Sequence, residues 1–416
     1  MVSICFYFQV HQPYRLRKYT IFDIGEQKEY FSDKSGTNLD NEWILNKVSD
    51  KCYLPANKVL LELLNKYPEF KISFSFSGVL LEQLEEFNPK VLKSFQDLVK
   101  TGQVEILSET YYHSLSFLYD REEFEEQVNL HRDLIKRLFN YTPKVFRNTE
   151  LIYNNEIAKY IEGMGYKGII AEGADHILGW KSPNFLYNPT NTKKIKVLLK
   201  NYKLSDDIAF RFSEQSWKEW PLTVPKYAQW INAVNGNGEV INLFMDYETF
   251  GEHQWESTGI FEFMRHLPEE ILKHPDNNFK TPSEVVDAYE TKGEYDCHNF
   301  ISWADIERDL SAWIGNEIQD AAIQRIYHLK DKVLKTGSKD LISKWRKLQT
   351  SDHFYYMCTK WFADGDVHKY FNPYNSPYDA FISYMNVLQD LETELNEILK
   401  ERGFLSKEKE LSSKHL

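Results

Sequence analysis

The feature that most constrains this chain is an alternation. Six short apolar runs, at residues 3–9, 71–76, 104–107, 144–146, 168–171 and 239–245, have the length and composition of buried strands. Between them lie segments with apolar residues at three- and four-residue spacing. Residues 57–66 and 89–100 carry that spacing cleanly, and 121–139 less cleanly. Residues 155–162 read as a further helix, ended by Gly163 and Gly165. Strands alternating with helices predict a parallel sheet with the helices outside it.

A second pattern lies on the first. The strands end in polar residues able to do chemistry. The first runs into His11, Gln12 and Pro13, and the third into Glu109 and His113. The fourth runs into Asn148, Thr149 and Glu150, and the fifth into Glu172, Asp175 and His176. The last runs into Asp246, Glu248 and His253. Parallel α/β folds place their sites at the carboxyl ends of strands. Loops are polar in any protein, so one such end decides nothing. Five together predict one functional rim, on a sheet closed or nearly closed into a barrel.

The 416 residues exceed one typical domain. Residues 1–275 read as the barrel, with an excursion near 187–212 that inserts short strands into it. From 276 to 416 the pattern is helical, at 304–335, 339–360 and 378–401. The last of these places Phe381, Met385, Leu388, Leu391 and Leu395 on one face. This second domain is expected to pack on the barrel and to contribute to the cleft. The charged tail at 406–416 is expected to fray.

Charge and cysteine usage exclude some partners. Fifty Lys and Arg against 62 Asp and Glu give a net charge of −12, which does not suit nucleic acid or an anionic membrane. No apolar run is long enough to span a bilayer. Cys5, Cys52, Cys297 and Cys358 are far apart and form no C-x-x-C pair, so a zinc ribbon is not expected. Scattered thiols, with no basic leader before the first strand, predict a cytoplasmic protein. Aromatics make up 15% of the chain, with 26 Tyr and 10 Trp; such faces stack well on sugar rings, although most are expected in the core.

Glu150 and Asp246 each follow a buried strand and have large apolar neighbours, a setting that shifts carboxyl pKa values. Two such acids on one rim suit a retaining glycosidase: one attacks the anomeric carbon, and the other protonates the leaving oxygen. The rival is a pair of ion-paired structural acids. Five stretches then resemble glycoside hydrolase family 57, its α-amylase-type members in particular. They are HQP at 11–13, GQVEILSETYYHS at 102–114, FRNTELIY at 146–153, FMDYETFGEHQ at 244–254 and SWADIERDLSAWIGNE at 302–317.

The resemblance implies an incomplete (β/α)7 barrel followed by a helical domain, and retaining chemistry on α-glucans or maltooligosaccharides. It implies Glu150 as nucleophile and Asp246 as general acid/base, with no metal and no cofactor. Under it His11, Gln12, His113, Arg147, His253 and Asp309 are candidates for substrate binding. Arg147 and His11 would also keep Glu150 charged, and burial beside Phe244 and Phe250 would raise Asp246. Trp303 and Trp313 are candidate stacking platforms, with core packing as the rival. Tyr247 and Thr249 stand where glucanotransferase members carry Gly and Lys, which favours the amylase-type group. The alternatives are a 4-α-glucanotransferase or α-galactosidase of the same family, a metal-dependent polysaccharide deacetylase, and a catalytically silent glucan-binding protein. Oligomeric state is not legible.

Overall fold

Strand β1 (Val2–Val10) is buried along all nine residues, because it packs on both faces. Phe8 points to an outer layer, against Phe74, Tyr247 and Phe250. Tyr247 and Phe250 meet Val59, Leu60, Phe261 and Met264, which come from the helices Leu54–Lys66 and Ile260–Leu272. Cys5 and Tyr7 face the other way, into a cluster with Leu107, Val145, Ile170, Leu198 and Phe244. Each of these comes from a different strand or strand end, so the cluster is the interior of a barrel.

The computed structural model describes residues 2–360 and 372–404. Six further strands complete the wall: β2 (Ile72–Phe76), β3 (Val104–Ile106), β4 (Val145–Arg147), β5 (Gly168–Glu172), β6 (Lys196–Lys200) and β7 (Val240–Asp246). All pairings between them are parallel. One sheet runs β3-β2-β1-β7, and the other β4-β5-β6. A short strand β8 (Asn277–Phe279) pairs with Val2–Ile4 below β2. The two sheets meet at thin seams. A single bridge from Ser108 to Phe146 joins the β3 end to β4. Between β6 and β7, Asn201 N–H donates to the Asn242 carbonyl at 2.9 Å. The Asn242 side-chain amide donates to the Leu199 carbonyl, also at 2.9 Å. The fold is a seven-stranded α/β barrel of this incomplete kind.

The six strand-like runs of the sequence all fall on strands; within the segment 187–212, Asn188–Pro189 forms a short strand with Glu294–Tyr295 outside the wall, but one part is corrected. Lys196–Lys200 is not an inserted excursion. It is the sixth wall strand, with Leu198 inside the barrel. It leads into the helix Tyr202–Ala209, capped by Asn201, whose side chain accepts from Leu204 N–H at 3.1 Å. Residues 304–310, read as the start of a helix, form a loop in which Asp305 and Arg308 adopt positive φ.

Contacts divide the chain into two compact units. The first holds Met1–Gln12, Leu45–Tyr111 and Phe124–Leu310, and hence the whole barrel. The second holds Pro13–Ile44, Tyr112–Glu123 and the described residues from Ser311 on. Its helices include Glu317–His328, Lys330–Thr336, Lys339–Lys347 and Pro377–Glu401. The buried stripe of the last helix is Ala380, Tyr384, Val387, Leu388, Leu391, Leu395 and Leu399. It is rotated from the expected face, leaving Phe381 and Met385 partly exposed. Asp390 is buried on the same helix and accepts from Tyr30 Oη and Gly25 N–H, both at 2.6 Å. The tail 406–416 lies outside the described residues. Among those described, no helix is long and apolar enough to cross a membrane.

One glycine fixes the loop after β7. Gly251 has φ +119°, and a Cβ there would stand 2.0 Å from the Lys51 carbonyl oxygen. Gly251→Ala is therefore expected to lose about 3 kcal/mol of stability or more, through strain and overpacking combined. Urea unfolding measures it; a wild-type midpoint would show that this loop does not dock on the 49–53 turn.

Candidate active site

Side chains on a strand alternate, so each wall strand ends on one last inward position. Reading the parity set by Tyr7, Val145, Ile170, Leu198 and Phe244, those positions are Gln9, Arg147, Glu172, Lys200 and Asp246, with Glu109 just past β3. The register agrees. Gln9 pairs with Ser75 on one side and with Asp246 on the other, and Glu172 pairs with Lys200. An apolar interior thus closes at its carboxyl end under one layer of polar groups.

Within that layer the contacts are direct. Gln9 Nε2 donates to Glu109 Oε1 at 3.0 Å. Glu109 Oε2 lies 3.7 Å from Arg147 Nη1, and both side chains are fully buried. Lys200 Nζ lies 3.7 Å from Glu172 Oε2 and 3.1 Å from Asp206 Oδ1. Burial raises the Glu172 carboxyl pKa, against the pull of Lys200. Burial works against the Lys200 charge, yet Asp206 and Glu172 together raise its pKa. Ion pairs this deep hold only while both partners remain.

Glu150 stands apart from those sealed acids. It follows β4 in a short 3-10 turn and is part-exposed. Its backbone is left-handed, φ 58° and ψ 24°, and Leu151 follows at φ 51°. Such conformations cost about 1 kcal/mol or more in a residue with a Cβ and need outside support. The support is a chain segment antiparallel to it. Tyr153 and Ile301 exchange both backbone hydrogen bonds at 3.0 Å. Trp303 N–H donates to the Glu150 carbonyl at 3.2 Å, and its indole Nε1–H donates to Glu150 Oε2 at 2.8 Å. The indole ring has the Arg147 guanidinium 5.2 Å from its centroid and the Lys200 ammonium at 5.5 Å.

Asp246 is the inward residue at the end of β7 and is also part-exposed. Its neighbour Glu248 is buried, accepts from Tyr53 Oη at 2.5 Å, and receives the backbone N–H of His11. Burial first, and the Asp246 charge second, push Glu248 up to about 8. Two carboxyls this close do not ionise together readily. The His11 ring is held through Nδ1, 2.6 Å from Ser77 Oγ. Gln12 hydrogen-bonds Tyr53, while its backbone carbonyl accepts from Gln83. Burial drives the part-exposed His253 ring down to about 4, opposed by Glu252.

The predicted residues therefore divide. His11, Glu150, Asp246, His253, Trp303 and Asp309 retain exposed surface, and all lie in the first unit. Arg147 is fully buried beside Glu109, where it supports the layer. Trp303 offers its indole N–H to Glu150, which makes it a clamp before it is a platform. Phe250 packs on Phe8 in the outer layer. His113 and Trp313 belong to the second unit and are 2% and 1% exposed. The Trp313 ring packs beside Tyr355, so the core reading replaces the stacking one. Lys200, Asp206 and Arg308 were missed. Strand parity singles out Lys200 once Lys196–Lys200 is recognised as wall.

Comparison with known proteins gives the family of the chain. The family model described as Glycosyl hydrolase family 57 matches residues 5–298. A protein of Methanocaldococcus jannaschii named putative alpha-amylase is 47% identical over 412 residues, covering 96% of this chain and 86% of its own length. A 4-alpha-glucanotransferase of Thermococcus litoralis is 24% identical over 259 residues, covering 60% of this chain and 37% of its own. Among solved structures, a branching enzyme of this family from Thermococcus kodakaraensis superposes with TM-score 0.66 at 16% identity, covering 96% of this chain and 93% of its own. The alpha-amylase AmyC of Thermotoga maritima does so with TM-score 0.61 at 13% identity, covering 98% and 95%. At those identities the two structures speak for the fold.

The Glu248 shift has a measurable sign. Its folded pKa is raised to about 8 from an ordinary 4.5, so the fold holds a proton that the unfolded chain releases. The stability this contributes is complete below the unfolded value and is lost as pH rises through the folded one, at up to about 1.4 kcal/mol per pH unit. Glu248→Gln should flatten the fall in unfolding free energy between about pH 5 and about pH 8. An unchanged slope in urea titrations across that window would remove Glu248 as its source.

Proposed function

The chain belongs to glycosyl hydrolase family 57, and from that premise we propose that it hydrolyses α-1,4-glucosidic bonds of starch- or glycogen-type glucans with retention of configuration. One observation carries the assignment of roles. Of the acids at the strand ends, Glu109, Glu172 and Glu248 are buried, and the first two face cations, while Glu150 and Asp246 keep exposed surface. Glu150 is the nucleophile. A carboxylate that accepts an indole N–H keeps its charge and its aim. Its oxygen bonds to the anomeric carbon as the glycosidic C–O bond breaks. Asp246 gives its proton to the departing oxygen, then takes one from the water that opens the glycosyl-enzyme. The side chains of His11, His253 and Asp309 are placed by this reading around the sugar held between the two acids. No step needs a metal or an organic cofactor. We place the enzyme in the cytoplasm, on the support of its scattered thiols.

A second reading keeps the mechanism and changes the acceptor. A relative named 4-alpha-glucanotransferase matches the chain, and transfer differs from hydrolysis only in what attacks the glycosyl-enzyme. Tyr247 and Thr249 beside Asp246 favour hydrolysis.

Products formed from maltoheptaose by wild type and by Glu150→Ala decide between these. Hydrolysis predicts short maltooligosaccharides and new reducing ends, reduced by about a thousandfold or more in the variant. Azide should restore turnover in the variant with inverted configuration. A ladder of longer products without new reducing ends would move the assignment to transfer. Wild-type turnover by Glu150→Ala would remove Glu150 as nucleophile.

A further inference from the structure

We infer that Lys200 is a positioning residue for the attack by Glu150, acting through the indole of Trp303; this rests on the reading of Glu150 as nucleophile. Lys200 takes the last inward position of β6, and its side chain is 6% exposed. A lysine so placed costs desolvation energy and has too little surface to bind a sugar. Its ammonium instead lies under the Trp303 ring, 5.5 Å from the centroid.

The same cluster grips Trp303 a second time. Arg308 Nη1 donates to the Trp303 carbonyl at 3.1 Å and to the Asp305 carbonyl at 2.7 Å. Arg308 Nη2 stands 3.9 Å from Asp206 Oδ2, and its guanidinium lies 5.0 Å from the Tyr202 ring centroid. Asp206 therefore bridges two cations, one against the indole face and one on the Trp303 carbonyl. Glu172, opposite Lys200 in the strand register, completes the group. From this cluster the indole N–H extends 2.8 Å to the Glu150 carboxylate. That indole N–H is one of the contacts that direct the carboxylate. A displacement of about 1 Å in a reacting group costs about a hundredfold in rate. A charge cluster that locates the indole therefore locates the nucleophile.

A merely structural cluster would lower stability and leave turnover per folded molecule alone. The test measures kcat, KM and thermal midpoint for Lys200→Met, Lys200→Arg, Trp303→Phe and the double variant K200M/W303F. The substrate is the one that wild type turns over best. Lys200→Met should lose about tenfold to a hundredfold in kcat, with KM within about twofold. Lys200→Arg, which keeps a cation under the ring, should recover most of the loss. The double variant should be no slower than Trp303→Phe alone, because both changes act on one contact. Wild-type kcat in Lys200→Met, or losses that multiply in the double variant, overturns the inference. If Lys200→Met does not fold, Asp206→Asn in the same cycle with Trp303→Phe carries the same expectations. Glu150→Ala, measured alongside, separates the two levels. Turnover surviving in it removes the nucleophile and this inference together. An inactive Glu150→Ala beside an unaffected Lys200→Met removes only the inference.

Discussion

The barrel depends on closing an apolar interior with charge. Tyr7, Val145, Ile170, Leu198 and Phe244 fill it from below, and the next inward positions are Gln9, Arg147, Glu172, Lys200 and Asp246. A layer of ionised groups with so little water is stable only if the charges alternate and touch. They do so in two places, Glu109 with Arg147 and Glu172 with Lys200. This pairing leaves outside it Glu150 and Asp246, the two acids proposed to react. Removing Arg147 or Lys200 would leave a buried carboxylate unbalanced, and the carboxylate would seek a proton or another partner.

The same constraint explains why the site has two kinds of acid. Glu109 and Glu172 share a layer with Asp246, yet each is sealed against a cation. Glu248 is sealed without one and keeps its proton near neutral pH. Glu150 is reached only through a left-handed turn that lifts it beyond the strand end, where Trp303 meets it. Burial and pairing with a cation thus set the supporting acids apart from the two proposed to react. Residue type does not.

Much of this was legible in the sequence, for physical reasons that can be named. Continuous apolar runs such as SICFYFQV mark strands buried on both faces. Polar residues right after them marked the rim. The sixth strand was hidden because Lys196 and Lys200 bracket it, and lysine at both ends reads as solvent. Both are inward residues: Lys196 donates to the carbonyls of Val286 and Tyr289, and Lys200 lies among carboxylates. The helix after it carried a readable cap in Asn201, masked by the acidic Asp206 and Asp207 further along. Trp303 and Trp313 looked alike at ten residues' distance. Only tertiary packing distinguishes an indole that bonds a carboxylate from one enclosed beside Tyr355. The motif residues gave Glu150 and Asp246 their proposed roles, but not the cations behind them.

The two seams of the wall bear on those roles. Glu150 comes after a strand of the sheet β4-β5-β6, and Asp246 ends a strand of the other sheet. No continuous ladder runs from one carboxyl to the other. The path crosses either the lone bridge at Ser108 or the amide contacts of Asn201 and Asn242. The barrel is thus two staves with narrow joints, and the spacing between the proposed attacker and proton donor is a property of the joints. A change at either joint that leaves each sheet intact would alter the gap between the two proposed catalytic acids.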